Sequence, residues 1–155
     1  MARSSIIWIG CLTVLLACMG CNRKTVYYHY EHTPVSGWDR RDTLHFNIGP
    51  VEEGGEYRQE VGLRISSDYP YMGLNLIIEQ TTAPNFSMRT DTLNCQLMDD
   101  DGTIKGHGLS YYQYDFQLPP LSLNKGDSLT VRIHHSMRRE TLPGIADIGI
   151  KLSKN

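Results

Sequence analysis

The chain has little of what would mark a specialised class. Four cysteines in 155 residues are too few for a disulfide scaffold. Neither sign of charge prevails, since 15 Lys and Arg stand against 17 Asp and Glu for a formal net charge of −2. The clustered basic excess of a nucleic-acid binder is missing, so nucleic acid is not an expected partner. No apolar run is long enough for a permanent membrane span: the one marked run, Ile6 to Ala17, falls short of the roughly 20 residues a bilayer core requires. No GxSxG, Walker A or dinucleotide fingerprint occurs. What remains is 40% hydrophobic and 21% charged, too apolar for a disordered chain and too polar for a multi-span protein. The length suits one domain.

The cysteines are few but unevenly placed. Cys11, Cys18 and Cys21 all lie in the opening MARSSIIWIGCLTVLLACMGC, and only Cys95 lies elsewhere. A basic Arg3, an uncharged apolar run and then Leu15-Leu16-Ala17-Cys18 make a secretory signal that ends in a lipobox. The chemistry requires that order. The thiol takes a diacylglyceryl group, the peptidase cuts before the Cys, and a small preceding side chain fits its pocket. Two or three acyl chains then give a stable anchor where one would be marginal. Cys18 is the preferred attachment site, with Cys21 the alternative because Gly20 also suits the cleavage position. The division read from this is a signal peptide over 1–17, an acylated tether over 18–24 and one domain over 25–155. No cofactor is expected beyond the covalent lipid.

Past Thr25 the dominant pattern has a period of two. It appears in Leu44-Phe46-Ile48, Val61-Leu63-Ile65, Leu74-Leu76-Ile78, Leu93-Cys95-Leu97, Tyr112-Tyr114-Phe116-Leu118, Leu129-Val131-Ile133 and Ile148-Ile150-Leu152. Thr25–Tyr30 reads as an edge strand. Turn residues separate these runs at Gly54-Gly55, Asp68 to Pro70, Pro84-Asn85, Asp101-Gly102, Pro119-Pro120 and Gly126-Asp127. About eight half-buried strands predict an all-β, antiparallel β-sandwich of jelly-roll or Greek-key type. Ser136 to Gly144 has the weakest alternation and reads as a loop or a single helical turn.

Catalytic and metal chemistry find no support in the residues. His134 and His135 are adjacent and face opposite sides of a strand, so they do not share a metal ion. Asp99 to Thr103 opens like a calcium loop, but Ser110 stands where the closing bidentate Glu belongs, leaving an acidic hairpin turn. Cys95 reads as a small buried hydrophobe. Two features suit recognition instead. One is the tyrosine clusters, with Tyr69 and Tyr71 as the central pair; the other is the polar stretch containing His135, Arg138 and Arg139. The protein is read as a non-enzyme.

Several blocks, in order, resemble the GldH family of gliding-motility lipoproteins of Bacteroidota. They are Val26-Tyr27-Tyr28-His29-Tyr30, Trp38 with Asp42 to Phe46, Arg64 to Leu76, and Asp91-Thr92-Leu93 with Leu97 to Asp99 and Gly102 to Gly108. The most specific is His135-Ser136-Met137-Arg138 with Leu142 to Gly149. Ile104 departs from an expected Trp, and Ser66 stands where the family has Asn. The resemblance implies an outer-membrane, lipid-anchored, non-enzymatic component of the gliding machinery, which in such bacteria is linked to type IX secretion. Its partners would be the membrane and other envelope proteins. Arg23 and Lys24, basic rather than acidic beside the anchor, favour the periplasmic face over the cell surface. The alternative reading is a glycan-binding surface lipoprotein, which would require exposed, coplanar tyrosine rings.

Overall fold

The computed structural model describes residues 24–154. The proposed signal peptide and both candidate lipid-bearing cysteines, Cys18 and Cys21, lie outside the described residues.

Every alternating run falls on a strand, with Leu97 alone one residue past the end of its own. In order they are β1 (Thr25–His32), β2 (Trp38–Asp39), β3 (Leu44–Ile48), β4 (Gly55–Ser66), β5 (Gly73–Ala83), β6 (Ser87–Gln96), β7 (Tyr111–Leu123), β8 (Ser128–His135), β9 (Thr141–Leu142) and β10 (Ile145–Lys154). Eight are long. The other two, β2 and β9, are two-residue strands that pair with each other, and β9 falls within 136–144, which the alternation predicts as a loop or a single helical turn. The long strands form two antiparallel sheets, ordered β1-β10-β4-β7 and β3-β8-β5-β6. Numbering the eight long strands consecutively gives 1-8-3-6 and 2-7-4-5, the strand order of a jelly roll.

The alternation explains the packing. In β8 the residues Leu129, Val131 and Ile133 are buried on the same sheet face as Leu74, Leu76 and Ile78 of neighbouring β5, within one continuous core. The opposing sheet contributes Val61, Leu63 and Ile65 from β4, and Ile148, Ile150 and Leu152 from β10. Each such side chain removed from water contributes roughly 1.5–3 kcal/mol. One polar bridge crosses this core. Gln80 of β5 donates to Gln59 of β4, which in turn donates to the Pro119 carbonyl at 3.0 Å.

The sheet edges are individually protected. Pro119 and Pro120 cannot donate to a ladder and sit on edge strand β7, beside an irregularity in its pairing with β4. Edge strand β6 carries Arg89 and Asp91 as an ion pair at 2.8 Å. On the outer face of the other sheet, Tyr30 lies against Gly62 and Gly149, which are paired across β4 and β10. A Cβ on Gly149 would stand 2.7 Å from ring carbons of Tyr30. The Arg64 guanidinium covers the ring at 4.1 Å from its centroid. The family-like tyrosine at this position therefore needs two residues without side chains beneath it.

Candidate functional site

Jelly-roll strand order sorts the connections onto two ends of the sandwich. At one end lie 49–54, 84–86 and 124–127, together with Lys24 and Lys154. At the other lie 33–43, 67–72, 97–110 and 136–144, which include the three longest. Loops carried on a rigid scaffold are where binding surfaces concentrate, and four of the exposed large apolar side chains gather on or beside these: Val35, Met72, Leu109 and Tyr111.

The loop end is built on Trp38. Its side chain is fully buried, its Nε1 donates to the Asp42 carbonyl at 2.9 Å, and its own carbonyl accepts from His135 Nε2 at 3.1 Å. The indole and imidazole meet edge to face, with centroids 5.1 Å apart. The β2–β9 pair and the Arg40 amide, which donates to the Glu140 carbonyl at 2.7 Å, tie loop 33–43 to loop 136–144. Thr33 Oγ1 adds a bond to the Ile145 carbonyl at 2.5 Å.

Above this base opens a groove of about 350 Å³ lined by Tyr71, Asn75, Ser136, Met137, Arg138 and Arg139. The Ser136 amide donates to the Asn75 carbonyl at 2.9 Å and holds the two walls together. Arg138 and Arg139 are exposed. Neither enters an ion pair among the described residues. Arg41 next to the site differs, since it holds the Asp39 carboxyl down to about 2 by hydrogen bonding and charge. The two free guanidinium groups beside an apolar Met137 stem suit an acidic or carboxylate-bearing partner.

Behind Tyr71 lies a smaller cleft of about 110 Å³, walled by Tyr69, Tyr71, Tyr112, Tyr114, Ile65 and Ile104. Tyr69 and Tyr71 cross at 73°, with centroids 5.4 Å apart. The hydroxyl of Tyr69 donates to the Gly73 carbonyl at 2.9 Å, and that of Tyr114 to the Leu97 carbonyl at 3.3 Å. Burial pushes the Tyr69 phenol pKa above its ordinary value. The coplanar exposed rings that sugar stacking would need are not formed by this pair. Tyr114 does lie parallel to Phe116 at 6°, but it is buried.

Three of the five residues singled out for interaction therefore converge on one groove: Tyr71, Arg138 and Arg139. The other two need correction. His135 is 0% exposed and Tyr69 5%, so neither offers a surface to a partner; both support the loops that do. His135 continues the inward period of Leu129, Val131 and Ile133, so its burial was already written in the strand. Asn75 and Met137 line the groove unanticipated: alternation turns Asn75 outward from β5 without saying what it meets there, and Met137 lies in a loop that no periodic pattern marks as a wall.

The remaining sequence features fall into place as turns and core. Asp101 Oδ1 accepts from the Thr103 amide at 2.9 Å, and Gly102 takes φ +85° between strands. Asp99 pairs with Lys105 at 2.8 Å. Among the described residues no three His, Cys, Asp or Glu side chains are grouped to hold a metal ion. Cys95 is buried, and burial pushes its thiol up to about 12, which removes the thiolate that nucleophilic chemistry requires.

His135 supplies a pH signature. Burial, with a further contribution from Arg40, holds its imidazole pKa below the ordinary 6.5; the bond to the Trp38 carbonyl and the Asp39 charge oppose this. The unfolded chain thus binds more protons as pH falls through the usual histidine range. Stability is then full above that range and declines as pH falls below it. Urea unfolding should show the decline between about pH 7 and pH 5, and His135→Gln should flatten it. An unchanged slope in that variant would assign the decline elsewhere.

Residues 25–152 match the family model described as GldH lipoprotein. A gliding motility lipoprotein GldH from Flavobacterium johnsoniae is 27% identical over 157 aligned positions, which cover 92% of this chain and 93% of that protein. Among solved structures, a family 35 carbohydrate binding module from Clostridium thermocellum aligns at 13% identity over 84% of this chain and 90% of its own, with a TM-score of 0.43. The Cry4Aa toxin from Bacillus thuringiensis aligns at 11% identity over 76% of this chain, with a TM-score of 0.47, and the chain spans only 19% of it. Both scores lie below the level at which a shared fold is read.

Proposed function

Because this chain belongs to the GldH lipoprotein family, we propose that it is a non-enzymatic, outer-membrane-anchored component of the gliding-motility envelope machinery, working beside type IX secretion. The acylated cysteine, Cys18 or else Cys21, holds it to the membrane, and Arg23 and Lys24 beside the anchor favour the periplasmic face. Its contact with an envelope protein is made by the loop end. The observation that carries this reading is the groove between Tyr71 and the two unpaired guanidinium groups of Arg138 and Arg139, set among exposed apolar loop residues. Such a mixture of aromatic, apolar and arginine side chains is the composition of interface hot spots.

Charge reversal tests it. The acylated protein is tagged and recovered from envelope membranes of its own host, as the native chain and as the double variant Arg138→Glu with Arg139→Glu. Recovery of a gliding or secretion component should fall about tenfold or more in the variant, as expected when central interface arginines are lost. Both positions are exposed, so unfolding stability should stay within about 0.5 kcal/mol of the native value. Equal recovery from both proteins would remove the groove from the interface. Recovery of no such component from the native chain would count against the machinery role itself.

A further inference from the structure

The end opposite the groove has its own chemistry. The Lys154 amide donates to the Lys24 carbonyl at 2.9 Å, and the Val51 amide to the Asp127 carbonyl at 2.9 Å. Ala83 of β5 pairs with Ser128 of β8. Lys24 and the tip of the β5–β6 hairpin thus share one end of the sandwich. Lys24 is also where the chain leads back to the lipid-bearing cysteine. It stands three residues after Cys21 (24 − 21) or six after Cys18 (24 − 18). Fully extended, those segments span at most about 10 or 20 Å. A strand as long as β7, with 13 residues, reaches about 40 Å at the usual rise. A tether that short holds the hairpin end within about 10 or 20 Å of the membrane, and a domain standing on that end carries its loop end about 40 Å away.

That membrane-side end presents apolar side chains to solvent. Phe86 is 73% exposed and Met88 75%, and Phe86 holds φ +51° at the hairpin tip, a conformation few non-glycine residues adopt. From Gln80 to Ser87 and on to Met88 no residue carries a charge, so the tip meets no ionic penalty on leaving water. Lys125, in the neighbouring turn, is exposed and suits anionic headgroups.

We infer that the β5–β6 hairpin dips Phe86 and Met88 into the lipid surface and stands the domain upright, with Tyr71, Arg138 and Arg139 aimed away from the membrane. The contact is intramolecular once the lipid is inserted, so even a weak affinity of the tip is amplified by its effective concentration. The inference rests on the anchoring part of the proposed function and on no partner.

The test uses acylated protein reconstituted in vesicles of phosphatidylethanolamine and phosphatidylglycerol whose acyl chains are brominated near the headgroup. Trp38 is buried and gives the same background in every sample. In a Phe86→Trp variant the added emission should shift to the blue and lose about half its intensity or more, as for a ring at the headgroup–acyl boundary. A Tyr111→Trp variant at the loop end should show no quenching. In the unsubstituted chain, a lipid-borne photo-crosslinker should label 84–88 and spare 105–111. Unquenched emission at position 86 in protein that floats with the vesicles would overturn the inference and point to a protein ligand for the tip. Equal quenching at both positions would mean that the domain has no fixed orientation, and failure to float would remove the anchor on which the inference stands. Loss of partner recovery by the arginine variant alters none of these readings, because the vesicles contain no partner.

Discussion

Trp38→Ala is expected to cost about 3–5 kcal/mol of unfolding free energy, the usual loss when a large aromatic side chain is deleted from a core. A domain of this size has about 5–15 kcal/mol in all, so the variant should be close to unfolding at growth temperature. The reason is placement as much as size. Trp38 is wholly enclosed, and its deletion leaves a void next to Leu142, its partner across the β2–β9 pair. It also orphans the Asp42 carbonyl that Nε1 supplies and takes the ring away from His135. Two long loops then lose the peg that joins them. Trp38→Phe keeps an aromatic body but drops the N–H, and should cost less, about 1–3 kcal/mol. Urea unfolding followed by far-ultraviolet circular dichroism measures both, since the alanine variant lacks the indole signal. A loss under about 1 kcal/mol for the alanine variant would show that the loops close without this residue.

Gly144→Ala should be nearly as damaging, at about 3 kcal/mol or more, although it adds only one methyl group. Gly144 sits at φ +77°, where an L side chain costs roughly 1–2 kcal/mol. A Cβ there would stand 2.9 Å from the Asp68 carbonyl carbon and the Tyr69 Cα, and closer still to the Tyr69 nitrogen. All three are backbone atoms, so no side chain can rotate away. The Gly144 carbonyl also receives the Ser66 amide at 2.7 Å, and pushing 66–69 outward breaks that bond. Tyr69 moves with its backbone, and the cleft behind Tyr71 opens. The variant should therefore lose partner recovery as well as stability, without any change to an exposed residue. Unfolding midpoints and pull-down yields together would check this. A variant as stable as the native chain would mean that the two loops have room to part.

The strands were legible because their signal is local. Leu129, Val131 and Ile133 alternate whatever they pack against, and pleating alone puts them on one face. His135 extends the same alternation by one step and is buried with them. Its polar chemistry drew it into the interaction set, although periodicity placed it in the core. Tyr69 carried no such signal. It lies in a turn, and its burial depends on Gly144 admitting it from a loop 75 positions away (144 − 69). Leu97 shows the limit from the other side: it continues the alternation of β6 and is buried, yet it lies beyond the strand's last residue, Gln96.

By itself, the order of residues settled the class of fold, the number of long strands, the sandwich and the family. Each of these is written in neighbours along the chain, as period, turn chemistry or motif. It also marked the tyrosines and arginines as candidates for contact. Tertiary structure alone decided which of them reach solvent, and that Tyr71, Arg138 and Arg139 form one groove while Phe86 and Met88 stand at the opposite end beside Lys24. The physical reason is that alternation encodes which face a side chain takes but not which strand lies next to it. Strand order comes from the packing of both sheets at once. In a jelly roll it sends successive connections to alternate ends, so residues distant in the chain become neighbours there.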